Sequence, residues 1–166
     1  DDYAKLTALE MAHDLPPDRA FAIYRKALAG GDPIVRSRAL KAVAETKELA
    51  TSAQARLLAA AAMKDDDEEI RVQALSILEQ APDEALVNHL LELARSGGAG
   101  RVVDAALASL ERLLPTAKGD HTKEILSLLA DGHEQVRKGA LALVARIPAE
   151  VLAPRFLQAF EGTFVW

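Results

Sequence analysis

The sequence predicts an all-α protein, a solenoid of about four helical pairs with a half-repeat at each end. The main observation is a repeat: GDPIVRSRALKAV (31–43), DDDEEIRVQALSIL (65–78), GGAGRVVDAALASL (97–110) and DGHEQVRKGALALV (131–144) share one pattern. Their anchors Val35, Ile70, Val102 and Val136 follow at steps of 35, 32 and 34 residues. Each is trailed by an alanine (Ala39, Ala74, Ala106, Ala140), a leucine (Leu40, Leu75, Leu107, Leu141) and a further aliphatic (Val43, Leu78, Leu110, Val144). A period of this length marks units that bury their apolar faces only against neighbouring copies. No stretch alternates with period two, so no sheet is expected. Half of the 166 residues are hydrophobic but only 4% are aromatic. That alanine- and leucine-rich mix suits helices whose axes approach closely.

The elements follow in order. DDYAKLTALEMAHDL fits the repeated helix if Ala4 matches Val35, Lys5 matches Arg36, Ala8 matches Ala39 and Leu9 matches Leu40. Pro16-Pro17-Asp18 opens a helix over 17–29, which ends at Gly30-Gly31. Asp32 caps the next, over 33–46, with Pro33 in its first position. Breaks near 46–51, 64–67, 81–83, 96–100, 115–120, 131–132 and 147–148 delimit the rest. The repeated motif forms second helices at 33–46, 67–80, 100–114 and 133–146. First helices are expected at 17–29, 51–63, 83–95 and 118–130. PAEVLAPRFLQAF reads as one more first helix. The chain so read starts and stops in mid-repeat, and residues 1–166 are expected to form one solenoid that is a segment of a longer repeat protein, or one whose ends dock on something.

Asp32-Pro33-Ile34-Val35-Arg36 with Ala39-Leu40, and Asp131 to Arg137, resemble the second helix of a HEAT repeat, in the short form also found in phycobilisome-lyase-type HEAT-like proteins. The resemblance covers nearly the whole chain. It implies a right-handed α-α superhelix, and a ladder in which a loop acid and the arginine after the anchor link neighbouring repeats. Asp65 and Asp67 with Arg71, Asp131 with Arg137, and Asp32 with Arg36 are the candidates. An aspartate at a helix start also caps free amides and complements the helix dipole. The third copy departs from the pattern, with Val103 in place of the arginine and Ser96-Gly97-Gly98-Ala99-Gly100 as its loop. The ladder is expected to break there, leaving a softer joint or a place where another chain approaches. Residues 18–28 look like a tetratricopeptide helix, but the pattern occurs once and its aromatic and glycine positions do not recur.

Little in the sequence points to chemistry. His13, His89, His121 and His133 form no zinc-binding pair, and Asp120, His121 and Glu124 read as a cap and solvated surface. The acidic run 65–69 lacks the ligand spacing of a calcium loop and suits a helix N-terminus. Gly97-Gly98-Ala99-Gly100 has no phosphate-loop lysine, and no serine lies in a nucleophile elbow. No enzyme, metal or cofactor is therefore expected. The formal charge of −5 argues against a general phosphate-backbone binder. There is no cysteine for disulfides or thiolate sites, and reducing cytoplasm is the default compartment. No apolar run approaches the roughly 20 residues of a bilayer span.

The expected function is a noncatalytic scaffold binding a protein, peptide or helix. The resemblance implies a concave face lined by second helices, whose non-core positions include Arg38, Lys41, Gln73, Ser76, Ala105, Ala108, Arg112, Lys138, Ala142 and Arg146. That face should begin basic and become small and smooth, admitting a partner helix, unless its alanines instead contact other helices of the solenoid. Phe156, Phe160, Phe164, Val165 and Trp166 form an aromatic tail, read as a stub that packs on a further repeat and could contact a partner, unless it caps the exposed end of the core. A chromophore-lyase-like or enzyme-associated module, and a nucleic-acid binder using Arg36, Arg38, Lys41, Arg71 and Arg112, are the alternatives.

Overall fold

Proline, glycine and aspartate punctuate the chain where its helices begin and end. A computed structural model describes residues 2–96 and 100–163, with backbone alone for Asp2, Lys47, Ser96, Phe156 and residues 158–163. The described residues are helical with no strand. Contacts group the chain into two compact units, Asp1–Pro82 and Asp83–Trp166.

The first unit holds α1 (Asp2–Ala12), α2 (Pro17–Leu28), α3 (Pro33–Glu45), the single turn α4 (Lys47–Ala50), α5 (Ala53–Ala62) and α6 (Glu68–Leu78). The Asp32 carboxylate accepts from the amides of Ile34 (2.7 Å) and Val35 (3.3 Å), with Pro33 beside it in the first turn. Asp67 caps α6 the same way through Glu69 and Ile70, and Ser52 caps α5 through Ala55. Side-chain caps of this kind satisfy amides that the helix leaves free. α2 packs on α3 and α5 on α6, as first and second helices, while α1, α3 and α6 adjoin in series.

The second unit holds α7 (Glu84–Ser96), α8 (Arg101–Leu113), a 3-10 turn (Leu114–Thr116), α9 (Thr122–Leu128), α10 (Glu134–Val144) and α11 (Ala149–Thr163). Here α7 pairs with α8 and α9 with α10, the second helices α8 and α10 lie together, and α11 packs against α9. α9 begins four residues later than the sequence suggests. Glu84 accepts from the Lys118 amide and contacts His121, so residues 118–121 are drawn into a loop rather than a first turn.

The repeated positions form the core. All four anchors are buried, and Ala39, Ala74, Ala106 and Ala140 are fully inaccessible. Alanine at those sites lets paired helices meet at close range, where a larger side chain would overpack. Leu40, Leu75 and Leu107 are buried, but Leu141 is 60% exposed. In α1, Leu9 and Ala12 are buried as the register with α3 predicts, whereas Ala4 and Ala8 are exposed.

Tyr24 on α2 is fully buried, and its hydroxyl finds no hydrogen-bond partner among the described residues. Burial also pushes its phenol pKa up. A buried hydroxyl without a partner carries its desolvation cost. Tyr24→Phe is therefore expected to leave stability unchanged or raise it by about 1 kcal/mol. Urea unfolding of the two proteins measures this; a loss of similar size would show that the hydroxyl is bonded.

Candidate partner-binding face

The arginines of the motif hold the joints between helices. Arg36 donates from Nε (2.8 Å) and Nη2 (2.9 Å) to the two carboxylate oxygens of Asp65, one repeat further on. Its Nη1 donates to the carbonyls of Gly30 and Gly31, closing its own loop. Arg71 binds the carbonyls of Asp65 and Asp66, and Arg137 that of Asp131, so the loop clamp recurs in three copies. The ladder thus runs from Arg36 to Asp65, not from Asp32. Asp32 and Asp67 are spent on capping, and Asp131 on the amide and ring of His133. Burial alone would push the Asp65 carboxyl up, but the Arg36 hydrogen bond, the Asp67 amide and the charges of Arg36 and Arg71 hold it below the usual carboxylate range.

In the third copy Val103 stands in the arginine's place and is buried, and the Asp131 carboxylate is taken by the amide and ring of His133. The joint is tied by another group. The Gln135 amide donates to the Gly100 carbonyl (3.0 Å), accepts from the Gly100 amide (3.2 Å) and contacts Asp104. A carboxamide pairing with both the N–H and the C=O of Gly100 stands where the ion pair is missing. Residues 97–99, part of the loop where a softer joint was expected, lie outside the described residues.

On the first unit, Arg38 and Lys41 project from α3 into an open cleft of about 390 Å³, shared with Leu6, Pro33, Ile34, Ser37, Asp67 and Glu69. Lys41 has Glu45 at 3.8 Å, an exposed pair of little energetic weight. Gln73 is half-buried and bonded to Ser37 (2.9 Å), so it ties α6 to α3. The Ser76 hydroxyl is turned back on the Gln73 carbonyl (2.7 Å). Ile34, 67% exposed in the same cleft, escaped the sequence reading. Its signal was present: the residue before the anchor is polar in the other copies, at Glu69, Arg101 and Gln135.

On the second unit, Ala108 and Ala142 are exposed and Ala105 is half-buried. Arg112, Lys138 and Arg146 are exposed too, the last two paired with Glu134 (2.7 Å) and Glu111. A methyl built on Gly139 would lie 2.5 Å from Leu107 Cδ1, so the small residue at 139 serves the packing of α10 on α8. The small residues therefore divide, with Gly139 facing a neighbouring helix and Ala108 and Ala142 facing outward.

The expected solvated surface at His121 is not observed. The ring is buried and bonded to Glu84, joining α7 to the loop before α9. Burial would raise the Glu84 pKa, but His121 and the amides of Lys118 and Gly119 hold it below the usual range. Asp120 accepts from the Thr122 amide (3.0 Å) and pairs with Arg155 (2.9 Å). Its pKa is lowered by Thr122 first and Arg155 second. No group of three metal-ligating side chains occurs among the described residues, and no helix there is long and apolar enough to cross a membrane. Phe164, Val165 and Trp166 and the side chains of Phe156 and Phe160 lie outside the described residues.

Comparison with protein-family models gives no match, and neither the curated proteins nor the solved structures contain a significant one.

Proposed function

We propose that this chain is a noncatalytic HEAT-like scaffold that binds a protein partner along the outward positions of its second helices. The repeated helix pairs, the fully buried alanines and the Arg36–Asp65 link support the HEAT-like reading. The binding reading rests chiefly on the α3 cleft, where the exposed cations Arg38 and Lys41 stand beside the exposed Ile34. An apolar contact ringed by charge is the usual makeup of a peptide-binding surface. On the second unit, the exposed Ala108 and Ala142 offer a smooth strip of their own.

Helical peptides selected on the immobilised chain test the proposal. Lys41→Glu or Ala108→Arg should weaken their binding about tenfold or more, with unchanged circular dichroism. Peptides that bind both variants as tightly as the parent chain would place the partner elsewhere.

A further inference from the structure

Between α9, the end of α10 and the start of α11, the second unit holds a cavity of about 410 Å³. Both first helices, α9 and α11, contribute to its lining and pack against each other, so the cavity belongs to a joint within the unit. Leu114, Ile125, Leu143, Ile147 and Val151 make its walls apolar, while Asp120, His121, Thr122 and Arg146 supply polar groups. A small-molecule site has this makeup: about 300–1,000 Å³, apolar walls, and a few polar groups that fix orientation.

Most of those polar groups are spent within the protein. Asp120 accepts from the Thr122 amide and from Arg155, and Arg146 donates to Glu111 through Nη2. His121 is the exception. Its ring is nine-tenths buried, and Nε2 meets the Glu84 carboxylate. Against the pull of burial, His121 and the amides of Lys118 and Gly119 hold Glu84 below the usual carboxylate range, so an anion faces Nε2. The contact assigns the ring hydrogen to Nε2, and Nδ1 of the neutral ring then offers a lone pair. Nδ1 has no partner among the described residues, and it is not sealed from solvent as the Tyr24 hydroxyl is. The ring is held firmly in place. A Cβ at Gly119 would collide with both the Glu84 carboxylate and the His121 ring.

We propose that this cavity binds a small neutral molecule with an apolar body and one hydroxyl, a phenol or an alcohol. A hydroxyl both donates and accepts. It donates to Nδ1 of His121 and accepts from Nε or Nη1 of Arg146, which have no partner among the described residues. The lining charges are already balanced, Asp120 by Arg155 and Arg146 by Glu111. An ammonium would meet the Arg146 guanidinium, and a carboxylate would meet the Nδ1 lone pair, so charged ligands are disfavoured. Two sources carry this chemistry, a free phenol and the tyrosine side chain of a peptide. The inference is independent of the partner reading on α3.

NMR titration of the isotope-labelled chain with p-cresol tests this. Shifts should centre on the amides of residues 114–125 and 143–151, and the Nδ1 resonance of His121 should move as it accepts a hydrogen bond. Toluene, which lacks the hydroxyl, and p-toluate, an anion, should bind about tenfold more weakly or worse. Val151→Trp fills the cavity from a position 41% exposed, which spares the fold, and should abolish the shifts. Arg146→Ala should weaken p-cresol about threefold or more and leave toluene unchanged. N-acetyl-tyrosine amide binding as tightly as p-cresol would identify a peptide's tyrosine as the source, and its failure to bind a free molecule; both support the hydroxyl assignment. The proposal is overturned if these residues do not shift at about 10 mM p-cresol, or if toluene or p-toluate binds equally well. Shifts that survive Val151→Trp, or a free chain whose His121 carries its hydrogen on Nδ1, overturn it too.

Discussion

Replacing Leu40 by alanine is expected to cost about 2–5 kcal/mol, while the same change at Leu141 costs less than about 0.5 kcal/mol. The two leucines hold the same place in the repeat, one after the buried alanine. Leu40 is fully buried, so truncation forfeits its transfer energy and leaves a cavity in a core whose alanines cannot swell to fill it. Leu141 is already 60% exposed, and little burial is lost with it. Urea denaturation of both variants reads the difference. Equal losses at the two sites would mean that α10 is covered in the isolated chain.

Breaking the Arg36–Asp65 link is the next largest effect. Both side chains are more than four-fifths buried (16% and 14% exposed), and the guanidinium meets the carboxylate with two parallel bonds. Arg36→Ala leaves Asp65 short of its partner and frees the Gly30 and Gly31 carbonyls, an expected loss of about 2–4 kcal/mol. Arg36→Lys recovers only part of this, because an ammonium cannot span both carboxylate oxygens and the loop. In a double-mutant cycle with Asp65→Asn, the coupling should be about 1–3 kcal/mol. The folded-state pKa of Asp65 is depressed, so its contribution is complete above about pH 4 and is lost as pH falls through the lower folded value. The parent's stability should therefore drop more steeply on acidification than that of Asp65→Asn. Parallel pH profiles would contradict this account of the link.

The helices were legible because their boundaries are local chemistry. Asp32-Pro33 and Asp67 set their helix starts without help from distant residues. What the sequence hid depends on partners far along the chain. The late start of α9 follows from Glu84 reaching residues 118–121, more than thirty positions away. Each motif's own loop offers its arginine an acid, yet the acid that Arg36 binds belongs to the next repeat. Leu141 carries the same motif as Leu40, and only the neighbour of α10 decides its burial. Among the positions read from the sequence as a partner face, Arg38, Lys41, Ala108 and Ala142 are exposed, while Gln73 is taken up by Ser37. A polar residue at a non-core position gives no local sign of such a tie.

Amide hydrogen exchange on the chain, with and without a selected peptide bound, tests the central claim most directly. The account predicts added protection of the second helices α3 and α6, strongest beside Ile34 and Arg38. Protection confined to the first helices α2, α5, α7 and α9 would contradict it.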